Sequence, residues 1–203
     1  RSTLFPYTTL FRSERWIDAK DRIVMRYDYD LLGNRIHQAS MEAGDRWMLN
    51  DVTGKPIRAW DSRGFMRRMT YDELRRPTGL FVTENNAGRL AERTVYGEAQ
   101  GAANNHRTRV YQVFDGAGVV TSKAYDFKGN LLRGSRALAH DYRKLYDWQT
   151  DTVQPTWETF SGSTTYDALN RPTAVTTPDK SVYRPTYNEA NLLNQRSDRK
   201  SVV

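Results

Sequence analysis

A Tyr-Asp pair recurs along this chain. Each time it ends a strand-like run and opens a turn. Tyr29-Asp30-Leu31-Leu32-Gly33-Asn34 and Tyr125-Asp126-Phe127-Lys128-Gly129-Asn130 are the clearest copies. Tyr71-Asp72-Glu73-Leu74-Arg75-Arg76-Pro77 and Tyr166-Asp167-Ala168-Leu169-Asn170-Arg171-Pro172 form a second, Pro-ended version. Trp60-Asp61-Ser62-Arg63-Gly64 and Phe114-Asp115-Gly116-Ala117-Gly118 exchange the Tyr for another aromatic, and Tyr187-Asn188 exchanges the Asp. Such self-similarity fixes the architecture before any single residue does. One unit cannot bury its apolar face alone, so copies must stack.

The physics of one copy is that of a β-hairpin. From Arg22 to Tyr29, Ile23, Met25, Tyr27 and Tyr29 fall on one face and Arg22, Val24, Arg26 and Asp28 on the other. A period of two marks a half-buried strand. The Asp side chain accepts from backbone N–H groups two residues on, and Gly tolerates the positive φ of a tight turn. Trp60 to Tyr71 and Phe114 to Tyr125 are each 11 residues, the step of one hairpin arm, and Tyr166 to Tyr187 is 21, a whole hairpin. The expectation is an all-β array of stacked antiparallel hairpins over residues 14–195. Two stretches break the repeat. Residues 98–107 are polar and read as a surface loop or a short helix. Residues 137–156 read as a helical turn or an irregular insertion, and such insertions can carry binding.

The Tyr-Asp-x-x-Gly-Asn/Arg pattern resembles the YD repeat of the RHS proteins, large secreted or surface proteins, mostly bacterial. From about Tyr27 to Asn194 the chain also resembles the repeat region of the B component of bacterial insecticidal toxin complexes. The resemblance implies a hairpin strip wound into a hollow shell that keeps a toxic cargo segment enclosed. It implies as partners the neighbouring repeats of a parent chain and a companion toxin-complex subunit, and a secreted or cell-surface location. The Asp-Pro-x-Gly-like core motif of that family is missing, as is a complete β-propeller sequence. The resemblance therefore implies a piece of shell wall.

Residues 1–13 and 196–203 do not fit the repeat. Both resemble translated sequencing-adapter read-through, so they are expected to be non-native or disordered tails, and the chain an assembly fragment. Two positive charges in the first tail and a net two in the second leave about +3 of the overall +7 for the body. That balance does not call for nucleic acid.

Chemistry finds little support. Cys is absent, which removes disulfides, thiolate zinc sites and thiol nucleophiles. His37, His106 and His140 are far apart and make no metal-binding motif. His37 reads as an exposed strand residue. The Asp residues sit at equivalent repeat positions, so turn formation accounts for them better than a two-carboxylate hydrolase does. Gly116-Ala117-Gly118 precedes no helix signal, and Ser161-Gly162-Ser163 lacks a nucleophile elbow. Arg67-Arg68 and Arg75-Arg76 near Tyr71 and Phe81 are split by alternation across two faces and read as a solvated surface. No run approaches 18 apolar residues, so no membrane span is expected. The expectation is a non-enzymatic protein without cofactor or metal. The competing expectation is a module binding carbohydrate or a cell-surface glycan, stacking it on aromatics such as Trp60 and Trp148.

Overall fold

Alternation and turn chemistry resolve into fifteen strands, each antiparallel to the next and hydrogen-bonded in chain order. The computed structural model describes residues 12–199. The strands are β1 (Arg12–Ile17), β2 (Ile23–Tyr29), β3 (Arg35–Ser40), β4 (Gly44–Asn50) and β5 (Pro56–Asp61). There follow β6 (Phe65–Tyr71), β7 (Pro77–Glu84), β8 (Ala87–Tyr96), β9 (Val110–Asp115) and β10 (Gly118–Tyr125). The series closes with β11 (Leu131–Leu138), β12 (Thr159–Tyr166), β13 (Pro172–Thr176), β14 (Val182–Tyr187) and β15 (Leu193–Arg199). The helical content of the described residues is one 3-10 turn, Gly97–Gln100. Of the two expected tails, residues 1–11 and 200–203 lie outside the described residues. Arg12 and Ser13 open β1, and 196–199 continue β15.

Two compact units divide between Ala91 and Glu92. In the first, successive hairpin turns alternate between the two edges of the sheet. The turns at Asp30, Asp51 and Asp72 share one edge, at a constant 21-residue step. Those at Asp18 and Asp61 share the other. In the second unit Asp126, Asp167 and Asn188 turn on one edge, and Asp115 and Thr177 on the opposite one. The strands deliver each pair where its chemistry acts: Tyr29, Tyr71, Tyr125, Tyr166 and Tyr187 are all final strand residues.

Burial is thin for a protein of this length. Among the described residues the buried hydrophobic side chains are Leu90, Val119, Ala124, Tyr146, Trp148 and Trp157. Half of them come from the 139–158 segment, not from the repeat. The strands present mostly half-buried residues.

Candidate functional site

The repeated turn is the one arrangement built many times over. At Asp30, Oδ1 accepts from Leu32 N (2.9 Å) and Asn34 N (2.8 Å), and Oδ2 from the Asn34 amide (3.0 Å). The backbone closes around it, with Asp30 N donating to Asn34 O (2.9 Å) and Gly33 N to Asp30 O (3.1 Å). Gly33 sits at φ 82°, the left-handed position that ends the turn. The same frame recurs at Asp72, where Arg76 replaces Asn34: Arg76 N bonds Oδ1 (2.8 Å) and its Nε bonds Oδ2 (2.7 Å). Asp167 and Arg171 repeat it at 3.0 and 2.7 Å. Asp126 and Asn130 repeat the first version, with Gly129 at φ 102°. Asn188 supplies its amide oxygen to Ala190 N (3.0 Å) and Leu192 N (2.9 Å). These donors favour the carboxylate form. The Asn34 side chain leads in holding Asp30 below the usual carboxylate range, and the Arg171 backbone N–H leads at Asp167.

The Tyr of the pair has a separate task. Tyr71 OH donates to Pro56 O (2.7 Å), Tyr125 OH to Val110 O (2.6 Å) and Tyr187 OH to Pro172 O (3.2 Å). Each acceptor is the first residue of the preceding strand, 15 positions back. The Asp thus shapes the turn ahead, and the Tyr ties the open end of the hairpin behind. Tyr29 OH reaches a side chain instead, Glu14 Oε2 (3.3 Å).

The aromatic variants lie on the other edges. At Asp61, Oδ1 accepts from Arg63 N (3.0 Å) and Phe65 N (3.1 Å), with Gly64 at φ 86°, so the turn frame is kept. Trp60 faces Trp47 across the β4–β5 pair. Asp115 departs from the frame. Its turn is two residues, Gly116-Ala117, and its carboxylate forks onto Arg136 of β11 at 2.9 and 2.6 Å. Asp51 is a turn aspartate the pattern conceals, because Asn50 stands where the aromatic is sought. It accepts from Thr53 N (2.8 Å) and Lys55 N (3.0 Å), and Arg75 of the next turn pairs with it. Its signal is position, 21 residues from both Asp30 and Asp72.

Adjacent turns are also tied sideways. The Asn130 amide donates to Asn170 Oδ1 (3.0 Å), and the Arg171 guanidinium to Asn191 Oδ1 (2.7 Å). Lys128 reaches Ala168 O, and Lys55 reaches Arg75 O.

The two interruptions pack inward. His106 is 3% exposed, with Nε2 on Ser122 O (2.8 Å) and its ring edge-on to Tyr111 and Tyr125. Asn104 O accepts from Tyr125 N (3.0 Å), so the 97–109 segment closes over the end of β10. In the 139–158 segment Tyr146 stacks on Trp148 at 5.5 Å, and Trp157 meets both edge-on. Trp148 Nε1 donates to Asp115 O (3.2 Å), which fastens the cluster to the β9–β10 turn. At 2% exposure Trp148 offers no face to a sugar, so the expectation of glycan stacking there is corrected. Of the basic pairs, Arg68, Arg75 and Arg76 are engaged, while Arg67 is exposed. Arg68 lies over Phe81 at 4.0 Å, Arg75 over Tyr71 at 5.5 Å, and Arg76 holds Asp72.

His37 is not the exposed strand residue expected. Its Nδ1 meets Asp28 Oδ2 at 2.8 Å, its Nε2 meets Asp45 Oδ1 at 2.9 Å, and its ring stacks on Trp47. Strand pairing puts Asp28 and Trp47 directly opposite it on either side. The bond to Asp28 raises its affinity for a proton against the opposing effect of burial, and Asp45 adds to the rise. Both ring nitrogens are spent on carboxylates. Among the described residues no cluster of His, Cys, Asp or Glu is arranged to hold a metal ion, and no helix is long and apolar enough to cross a membrane.

No protein-family model matches the chain, and no curated protein does. Solved structures do. The TcdB2-TccC3 crystal structure superposes with TM-score 0.79 at 19% identity, covering 94% of this chain and 11% of that one. The TcdB2-TccC3-Cdc42 structure gives 0.78 at 20%, covering 94% and 10%. The Tc holotoxin pore of Photorhabdus luminescens gives 0.78 at 20%, covering 92% and 10%. This chain therefore spans about a tenth of the length of the chains it resembles, and at such identities the likeness is one of fold.

Proposed function

We propose that this chain is a stretch of YD-repeat wall from a secreted bacterial toxin. In this role it helps to enclose a toxic cargo segment and performs no chemistry itself. The observation that carries the reading is the run of 21-residue hairpins, tied turn to turn, in a fold like that of the TcdB2-TccC3 structures over 94% of the chain. Turn aspartates occupied by backbone N–H groups suit scaffolding. Their carboxylates are already spent, and proton transfer requires a free one. The partners in this reading are further repeats of a longer protein and a companion toxin-complex subunit.

The test is a low-resolution electron microscopy structure of the longer protein with these residues located in it. Density for residues 27–194 as wall around an enclosed cavity is the expected result. A separate module on the outside, bordering no cavity, would overturn the reading.

A further inference from the structure

One depression in the first unit is explained by neither turn nor tether. It lies over β4, β5 and β6, on the face to which register assigns Arg46, Met48, Ala59 and Arg67, and Trp60 and Arg63 also border it. Register pairs Gln38 with Arg46, Arg46 with Asp61, Met48 with Ala59, and Ala59 with Arg67. Ala59 thus stands between long side chains, and its single methyl leaves a cavity of about 210 Å³. Arg46, Arg67, Met48, Phe65 and Gln38 are among its walls. The carboxylate beside Arg46 is Asp61, but its oxygens are taken by Phe65 N (3.1 Å), Arg63 N (3.0 Å) and the Arg63 guanidinium (3.1 Å). Among the described residues no carboxylate pairs with Arg46 or Arg67, and both side chains are exposed.

We propose that this depression docks an acidic, extended polypeptide segment carrying two carboxylates two residues apart. Two guanidinium forks flank an apolar floor, and each fork takes one carboxylate bidentately. β4 and β6 lie one strand spacing on either side of β5, and register offsets Arg46 from Arg67 by two residues, so their backbones stand about 12 Å apart on the diagonal. Arg46 and Arg67 both border the depression. Alternate residues of an extended segment project to one side about 6.7 Å apart, within reach of both. The aliphatic stems of the acidic residues then lie on Met48, Ala59 and Phe65. A single small oxyanion engages one fork at a time, and a basic segment is repelled by both. This site does not depend on the enclosure of cargo.

The experiment is fluorescence anisotropy of the full 203-residue chain with a labelled peptide of alternating Glu and Leu. Far-UV circular dichroism verifies that each variant keeps its strands. Arg46→Gln with Arg67→Gln is expected to weaken binding about tenfold or more, the loss of charge-assisted forks. Ala59→Leu fills the floor without touching charge and is expected to weaken it comparably. Arg58→Gln, which alternation puts on the face away from Ala59 and which does not border the depression, is expected to change it less than about twofold. An equal loss in Arg58→Gln would mean nonspecific basic attraction and overturns the site. So does the absence of binding, or indifference to Ala59→Leu. Displacement by glutarate at concentrations matching the peptide would assign the pocket to a free dicarboxylate and overturn the choice of a peptide.

Discussion

At the scale of the residue, His37 shows how a β-sheet face can hold a titrating group in place. Alternation puts Asp28, His37 and Trp47 in one row across β2, β3 and β4, and Asp45 enters from two residues along β4. The imidazolium bonds a carboxylate on either side at 2.8 and 2.9 Å, and Arg26 steadies Asp28 from 3.2 Å. His37 is thereby raised above its ordinary value near 6.5. A group raised on folding contributes all of its stability below the unfolded value, and that contribution disappears as pH climbs through the folded one. The urea midpoint should therefore fall as pH rises above His37's ordinary value near 6.5 and through its raised folded value. His37→Gln should flatten that slope, and an unchanged slope in the variant would assign it to other groups. The turn aspartates act at the other end of the scale. Asp30 and Asp167 are lowered on folding, so their support is present above the ordinary carboxylate range and is lost in acid.

The element is the hairpin, and its limits are set by backbone geometry. Two glycines at positive φ separate strain from steric fit. At Gly33 (φ 82°) nothing lies within 4 Å of an added Cβ. Gly33→Ala should then cost only the left-handed conformation, about 1 kcal/mol. At Gly118 (φ 128°) a Cβ would stand 2.1 Å from Ala137 O and 2.9 Å from Ala139 N, both backbone atoms of the neighbouring chain segment. Gly118→Ala should cost about 3 kcal/mol or more, because a paired strand cannot yield as a side chain does. Denaturant midpoints of the two variants test the ranking, and equal losses would refute it. The succession of hairpins was legible in the sequence because alternation, spacing and turn chemistry agree there. Asp51 was not, since Asn50 hides the pair and only the 21-residue step reveals it. The insertions were illegible for a deeper reason. Periodicity carries no information where no strand exists, and Trp148 is positioned by the carbonyl of Asp115, 33 residues away.

For the molecule as a whole, the distribution of core decides which parts open first. Repeat strands pair with their neighbours but bury little, and exposed Trp16, Trp47 and Leu49 leave the first unit no buried aromatic among its described residues. The second unit holds Tyr146, Trp148 and Trp157 in mutual contact against Phe114. Local stability follows buried apolar contact, so hydrogen exchange should be slowest in β9, β10 and β11, beneath that cluster. Trp148→Ala removes the ring at its centre and the donor to Asp115. A buried Trp truncated to Ala costs about 3–5 kcal/mol. Its effect should be confined, because β2 to β6 draw their protection from their own turns and ladders. Exchange measured by mass spectrometry on the full chain should therefore show β9–β11 losing protection in the variant while β2–β6 keep theirs. Uniform loss across both regions would mean that the chain opens as one cooperative body, with the aromatic insertion as the core of all of it.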